Sequence, residues 1–157
     1  DRLRNLLLEQ GGRYDVVDAV LAAQGENPAH AAHAVGALAR WIERPDWNTI
    51  LPAYSRCVRI TRDLPERYDV SPAAFVEPAE HALMAALQAA EAAPQQPGSV
   101  DDLLTAFLPM IPVINRFFET VLVMADDPAQ RQNRLGLLQR VAALAQGVAD
   151  FSKLEGF

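Results

Sequence analysis

Three arginines, Arg56, Arg59 and Arg62, stand at intervals of three, and Arg67 follows after a short gap. On a helix that spacing keeps all three on one face. A guanidinium is planar, permanently charged and carries its donors in a fork that matches phosphate oxygens, so a row of them suits a nucleic-acid backbone. The same row also reads as a solvated helix face whose charge is relieved by Asp63 and Glu66. Unpaired bases are held by stacking on aromatic rings as well as by charge. Tyr68, beside Arg67, and Phe75 are the nearest rings, with Phe151 and Phe157 further along; a loop aromatic serves equally well to pin its loop to a core.

Other chemistries find less support. His30 and His33 at i and i+3 could offer two metal ligands, but the sequence places no third beside them and both fall toward a polar helix face. They read as a solvated pair, and His81 reads the same way. There is no Ser, His and Asp grouping with a nucleophile elbow, no phosphate-binding glycine loop and no dinucleotide fingerprint. Neither a catalytic residue nor a metal site is expected. The single cysteine, Cys57, excludes an internal disulfide and a Cys-rich zinc site, and suits a reducing, cytoplasmic setting.

The net charge of -6 over 157 residues is the reverse of what a non-specific nucleic-acid binder carries. The cations are segregated, however. Residues 40–67 hold six Arg against four acids, whereas residues 68–115 hold six acids (Asp69, Glu77, Glu80, Glu91, Asp101 and Asp102) and neither Lys nor Arg. Contact with a polyanion must therefore be local. Half the residues are apolar and 22% are charged, the balance of a globular domain. No apolar run approaches the ~20 residues of a membrane span. With no Met at position 1 and no signal-like segment, the chain reads as a piece of a longer one.

The stripe needs a helix, and one is predicted from Asp46 as cap, with Trp47, Ile50, Leu51, Tyr54, Cys57 and Val58 as apolar seam and the arginines opposite. Pro52 predicts a kink or ragged start. Upstream, Leu3, Leu6 and Leu7 mark a helix ending at Gly11-Gly12. Val16, Val17, Val20 and Leu21 share the face of a second, with Asp15 and Asp18 on its other side. Asn27-Pro28 opens a third with Ala31, Val35, Leu38 and Ile42 inward. Downstream, Leu64 to Val76 is the longest irregular connection, where function concentrates. A fifth helix follows from about Pro78 to Ala93, then a linker at Pro94–Gly98, then a short helix capped by Ser99 and broken by Pro109 and Pro112.

The core is expected in the last third. Val113, Ile114, Phe117, Phe118, Val121, Leu122 and Met124 fill one broad helical face. Asp127-Pro128 opens a second long helix in which Leu135, Leu138, Val141, Ala142, Ala145, Val148 and Ala149 recur at threes and fours. Arg131 and Arg134 fall on its apolar side, where a charge needs a partner. Asp126, Asp127, Glu119, Asp15 and Asp18 could supply one, so Arg134, Asp15 and Asp18 read as structural. No alternating strand pattern and no fixed-period repeat occurs. The expectation is an all-α fold, one domain, a bundle of about seven helices.

The run FFETVLVMADDPAQRQNRLGLL, followed by GVADFSKL, resembles the C-terminal end of the bacterial glycyl-tRNA synthetase beta subunit. Arg13-Tyr14-Asp15-Val16-Val17-Asp18-Ala19-Val20-Leu21 and Glu77-Pro78-Ala79-Glu80 match that family's pattern earlier in the chain, so the resemblance spans nearly all 157 residues in order. Arg59 stands where that family has Asn, and the letters DALR do not occur. The resemblance implies a DALR-type anticodon-binding domain, related in fold to the C-terminal domain of arginyl-tRNA synthetase, cut from a longer synthetase chain. It implies a role in glycine–tRNA ligation, with glycine-specific tRNA and the alpha subunit as partners. ATP and Mg²⁺ would then bind elsewhere in the parent enzyme. Arg56, Arg59, Arg62, Arg67 and Tyr68 are the tRNA-facing candidates, and the chain alone is expected to be a monomer. The rivals are a protein-docking helical bundle that touches no RNA and the equivalent domain of arginyl-tRNA synthetase.

Overall fold

The computed structural model describes every residue from Asp1 to Phe157 and contains eight α-helices and no β-strand, the all-α class that the sequence predicts. The helices are α1 (Arg2–Glu9), α2 (Tyr14–Ala23), α3 (Pro28–Ile42), α4 (Trp47–Thr61), α5 (Pro78–Ala92), α6 (Val100–Phe107), α7 (Met110–Thr120) and α8 (Pro128–Ala143). Short 3₁₀ turns lie at Pro72–Ala74 and Phe151–Lys153. Their starts are written in local chemistry. Asn27 and Asp127 accept from the backbone N–H three residues on, at 3.2 and 3.3 Å, and each is followed by a proline that lacks the donor a first turn would leave unused. Ser99 Oγ accepts from Asp102 N at 3.1 Å, capping α6. α4 runs unbroken through Pro52.

The contacts divide the chain into two compact units. The first comprises Asp1–Pro52, Pro94–Thr105 and Ala145–Phe157. Its distant segments are tied to α2 and α3 by side chains. The Gln24 amide donates to the carbonyls of Gly98 and Val148, both at 2.9 Å, and Trp41 Nε1 donates to Asp101 at 2.8 Å. Gly98, at φ 75°, lies so close to Gln24 that a Cβ there would stand 2.6 Å from the amide oxygen.

The second unit comprises Ala53–Ala93 and Ala106–Leu144. Its interior is built from Leu83 and Leu87 of α5, Ile114 and Phe117 of α7, and Leu135, Leu138 and Val141 of α8, all buried. Removing a ring such as that of Phe117 from a packed core costs about 3–5 kcal/mol.

Two helix ends differ from expectation. α7 stops at Thr120, and Val121 is extended (φ -114°, ψ 128°). From there burial alternates: Val121, Val123 and Ala125 face inward, whereas Leu122 and Met124 are 69% and 55% exposed. The helix has ended and residues 123–124 form a turn, so the helical period no longer keeps the apolar run on one face. Leu122 and Met124 therefore do not belong to the core face. The last helix ends at Ala143 rather than running on to Ala149. Residues 144–148 form turns closed by Gly147 at φ 78°, and Ala145, Val148 and Ala149 are buried from there.

Candidate nucleic-acid interface

α4 presents Arg56, Arg59 and Arg62 as exposed side chains, while Ala53, Tyr54, Cys57 and Thr61 of the same helix are buried. Burial pushes the Cys57 thiol up to about 12. The stripe is not uniform. The Arg56 guanidinium lies 4.1 Å from the ring centroid of Phe118 on α7, a cation–π contact that anchors it. Arg62 and the exposed Arg67 enter no ion pair, and neither do Asp63 and Glu66. Two guanidiniums with unused donor forks thus lie at the end of α4 and in the loop that follows.

That loop is held. Between Glu66 and Ser71 the irregular chain runs along α8, and two α8 side chains supply hydrogen bonds to its backbone. Gln139 accepts from Tyr68 N and donates to Glu66 O, both at 2.9 Å. Asn133 accepts from Ser71 N at 2.7 Å and donates to Ser71 O at 3.0 Å. Tyr68 is half-buried. Phe75 sets its ring edge-on to His81 at 5.0 Å, Phe151 is buried in the first unit, and Phe157 is half-buried. Of the four aromatic candidates, Tyr68 alone lies beside an unpaired arginine.

Arg134 is buried, and its partner is Glu80 of α5 rather than any of the five acids expected. Nε and Nη2 each lie 3.4 Å from a Glu80 oxygen, and Nη1 donates to Leu122 O at 2.7 Å. Glu80 also accepts from Val76 N (3.1 Å) and Glu77 N (2.8 Å), so the buried carboxylate has no idle oxygen. Arg131, half-buried, donates to the Ala125 and Asp126 carbonyls.

Asp15 and Asp18 lie in the first unit with partners of their own. Arg13 forks onto Asp15 at 2.9 and 2.6 Å and holds its carboxyl below the usual range against the opposing push of burial; Glu155 N also donates to it. Arg4 does the same to Asp18, lowering it. His30 and His33 are exposed. His30 borders an open hollow of about 620 Å³ with Gln24, Asn27 and Pro97, where Glu26 is the other ionisable group. No three His, Cys, Asp or Glu side chains gather where they could hold a metal ion, and no helix is long and apolar enough to cross a membrane.

No family model matches the chain. It is 39% identical over 146 residues to the glycine–tRNA ligase beta subunit of Anaeromyxobacter dehalogenans, 90% of this chain and 21% of that protein. Against the beta subunit of Moorella thermoacetica it is 37% identical over 98% of its length, and against that of Shouchella clausii 35% over 98%, covering 22% and 23% of those proteins. The chain thus spans about a fifth of the length of these relatives. Over nine-tenths or more of its own length it is similar to one segment of the glycine–tRNA ligase beta subunit.

Proposed function

We propose that this chain is a DALR-type anticodon-binding segment of a glycine–tRNA ligase beta subunit, and that it contacts glycine-specific tRNA through the outer face of α4 and the loop after it. The observation that carries the reading is the similarity to beta subunits along 98% of the chain. The arginine face gives it a physical seat: Arg56, Arg59, Arg62 and Arg67 are exposed, and Arg62 and Arg67 keep their donors unused. Phosphate contacts fix the register of an RNA, and the neighbouring Tyr68 offers a ring to an unpaired base. The chemistry of ligation, with glycine, ATP and Mg²⁺, belongs in this reading to other parts of the enzyme, including the alpha subunit. The setting is cytoplasmic, and the isolated chain is a monomer.

A second reading, docking to a protein partner without RNA, draws on Leu122, Met124 and Val76, the last 59% exposed. Titration of the 157-residue chain with glycine-specific tRNA over rising salt separates the two. Phosphate contacts weaken linearly on a log–log plot as counterions return, whereas an apolar interface does not. Binding that weakens steeply with salt supports the tRNA reading; absence of binding at low salt overturns it.

A further inference from the structure

We propose that Asn133, Gly136 and Gln139 of α8 are positioning residues for nucleic-acid contact. They hold residues 66–71 against α8 and leave Arg67, Tyr68 and Asp69 to meet unpaired nucleotides. The inference rests on the tRNA reading above and adds to it which residues shape the contacting loop.

The three α8 residues are spaced at i, i+3 and i+6 and so form one row along the helix. Each end of the row grips backbone: Gln139 takes Glu66 O and Tyr68 N, and Asn133, only 4% exposed, takes both polar groups of Ser71. Gly136 makes the close approach possible, because a Cβ there would lie 2.7 Å from Tyr68 O and 3.2 Å from Val70 Cγ2. Solvated polar residues on a helix would not converge in this way on a loop 62 to 73 positions away. The peptide groups of Arg67 and Asp69 make no hydrogen bond within the protein, and both residues are exposed. Open peptide donors and acceptors, a guanidinium and a carboxylate in three consecutive residues suit base edges. Asp69 in particular can accept from an exocyclic amino group but would repel a phosphate. Base edges are presented this way by unpaired nucleotides, not by a duplex backbone.

The test uses two variants, Asn133→Ala/Gln139→Ala and Gly136→Ala, with Gln139→Ala alone as the mildest change, each checked for helix content by circular dichroism. Tryptic cleavage of the Arg67–Tyr68 bond, followed by mass spectrometry, reads the clamp without RNA; it should quicken in every variant that folds. Affinity for glycine-specific tRNA should fall about tenfold, the scale of a single base stacked on a ring. In an Arg67→Ala/Tyr68→Ala background, where only Asp69 and the peptide groups remain to be positioned, the clamp variants should cost clearly less than in the parent, which a general structural weakening would not reproduce. Unchanged cleavage overturns the clamp. Faster cleavage with unchanged affinity, or an equal loss in both backgrounds, overturns the positioning role while the α4 reading stands. A parent chain that fails to bind tRNA overturns both.

Discussion

Arg134 and Glu80, 54 positions apart, meet at 3.4 Å with side chains only 5% and 1% exposed. The pair joins α8 to the start of α5, and through the Leu122 carbonyl it also holds the connection after α7. Two charges removed from water are stable only if each is paired and its remaining donors and acceptors are filled. For the carboxylate, the backbone N–H groups of Val76 and Glu77 both donate to Oε1, and Arg134 Nε serves Oε2.

Arg134→Ala should therefore destabilise the chain by about 3–5 kcal/mol, because Glu80 would be left buried and uncompensated. Replacing both partners together, Arg134→Met with Glu80→Leu, should cost less than either single truncation. Thermal melts of the three variants decide it; an unchanged melt for Arg134→Ala would show that the pair does not hold the unit.

Asp15 gives a pH dependence with a definite sign. Its folded value is lowered by the hydrogen bonds from Arg13, assisted by Glu155 N–H. Its contribution is present in full above the ordinary aspartate value of about 3.9 and is lost as pH falls through the lower folded value. Asp15→Asn should cost about 2 kcal/mol at pH 7, the scale of bonds to a charged group, and the gap to the parent should close in acid. Urea titrations at both ends of that range measure the gap; a gap independent of pH would mean that the Asp15 carboxylate is not what the bonds from Arg13 stabilise.

Cys57 should be inert in the native protein. It is buried, its thiol sits at about 12, and it lies 3.5 Å from the Ala53 carbonyl one turn earlier. The thiolate is the reactive form, so a thiol reagent at about pH 8 should modify it only after unfolding. Rapid labelling of the folded chain would refute this.

What the sequence reveals and what it hides divide along physical lines. Helix starts are legible because caps are local: Asn27, Ser99 and Asp127 each act within three residues. The outward face of α4 is legible because its seam has a clean helical period. The end of α7 is not, since the unbroken apolar run Val121–Ala125 satisfies a period of two as well as it does 3.6. Glu80 is hidden differently. A glutamate three residues after Glu77 has the spacing of a capping box, and nothing local says that it turns inward to an arginine on a distant helix. Asn133 and Gln139 pass for solvated helix positions until the loop they grip is in place, and Phe118 beneath Arg56 passes for core alone.

That the arginine face of α4 meets tRNA is tested most directly by binding of glycine-specific tRNA across a salt series to the variant Arg56→Ala/Arg59→Ala/Arg62→Ala. Circular dichroism and a melt come first, since Arg56→Ala also removes the cation–π contact with Phe118, which is worth about 0.5–1 kcal/mol at an exposed site. A folded variant with weaker binding is expected, its log–log salt slope smaller by about 0.7 to 0.9 for each phosphate no longer neutralised. A folded variant with the affinity and salt slope of the parent would show that the RNA docks on another face.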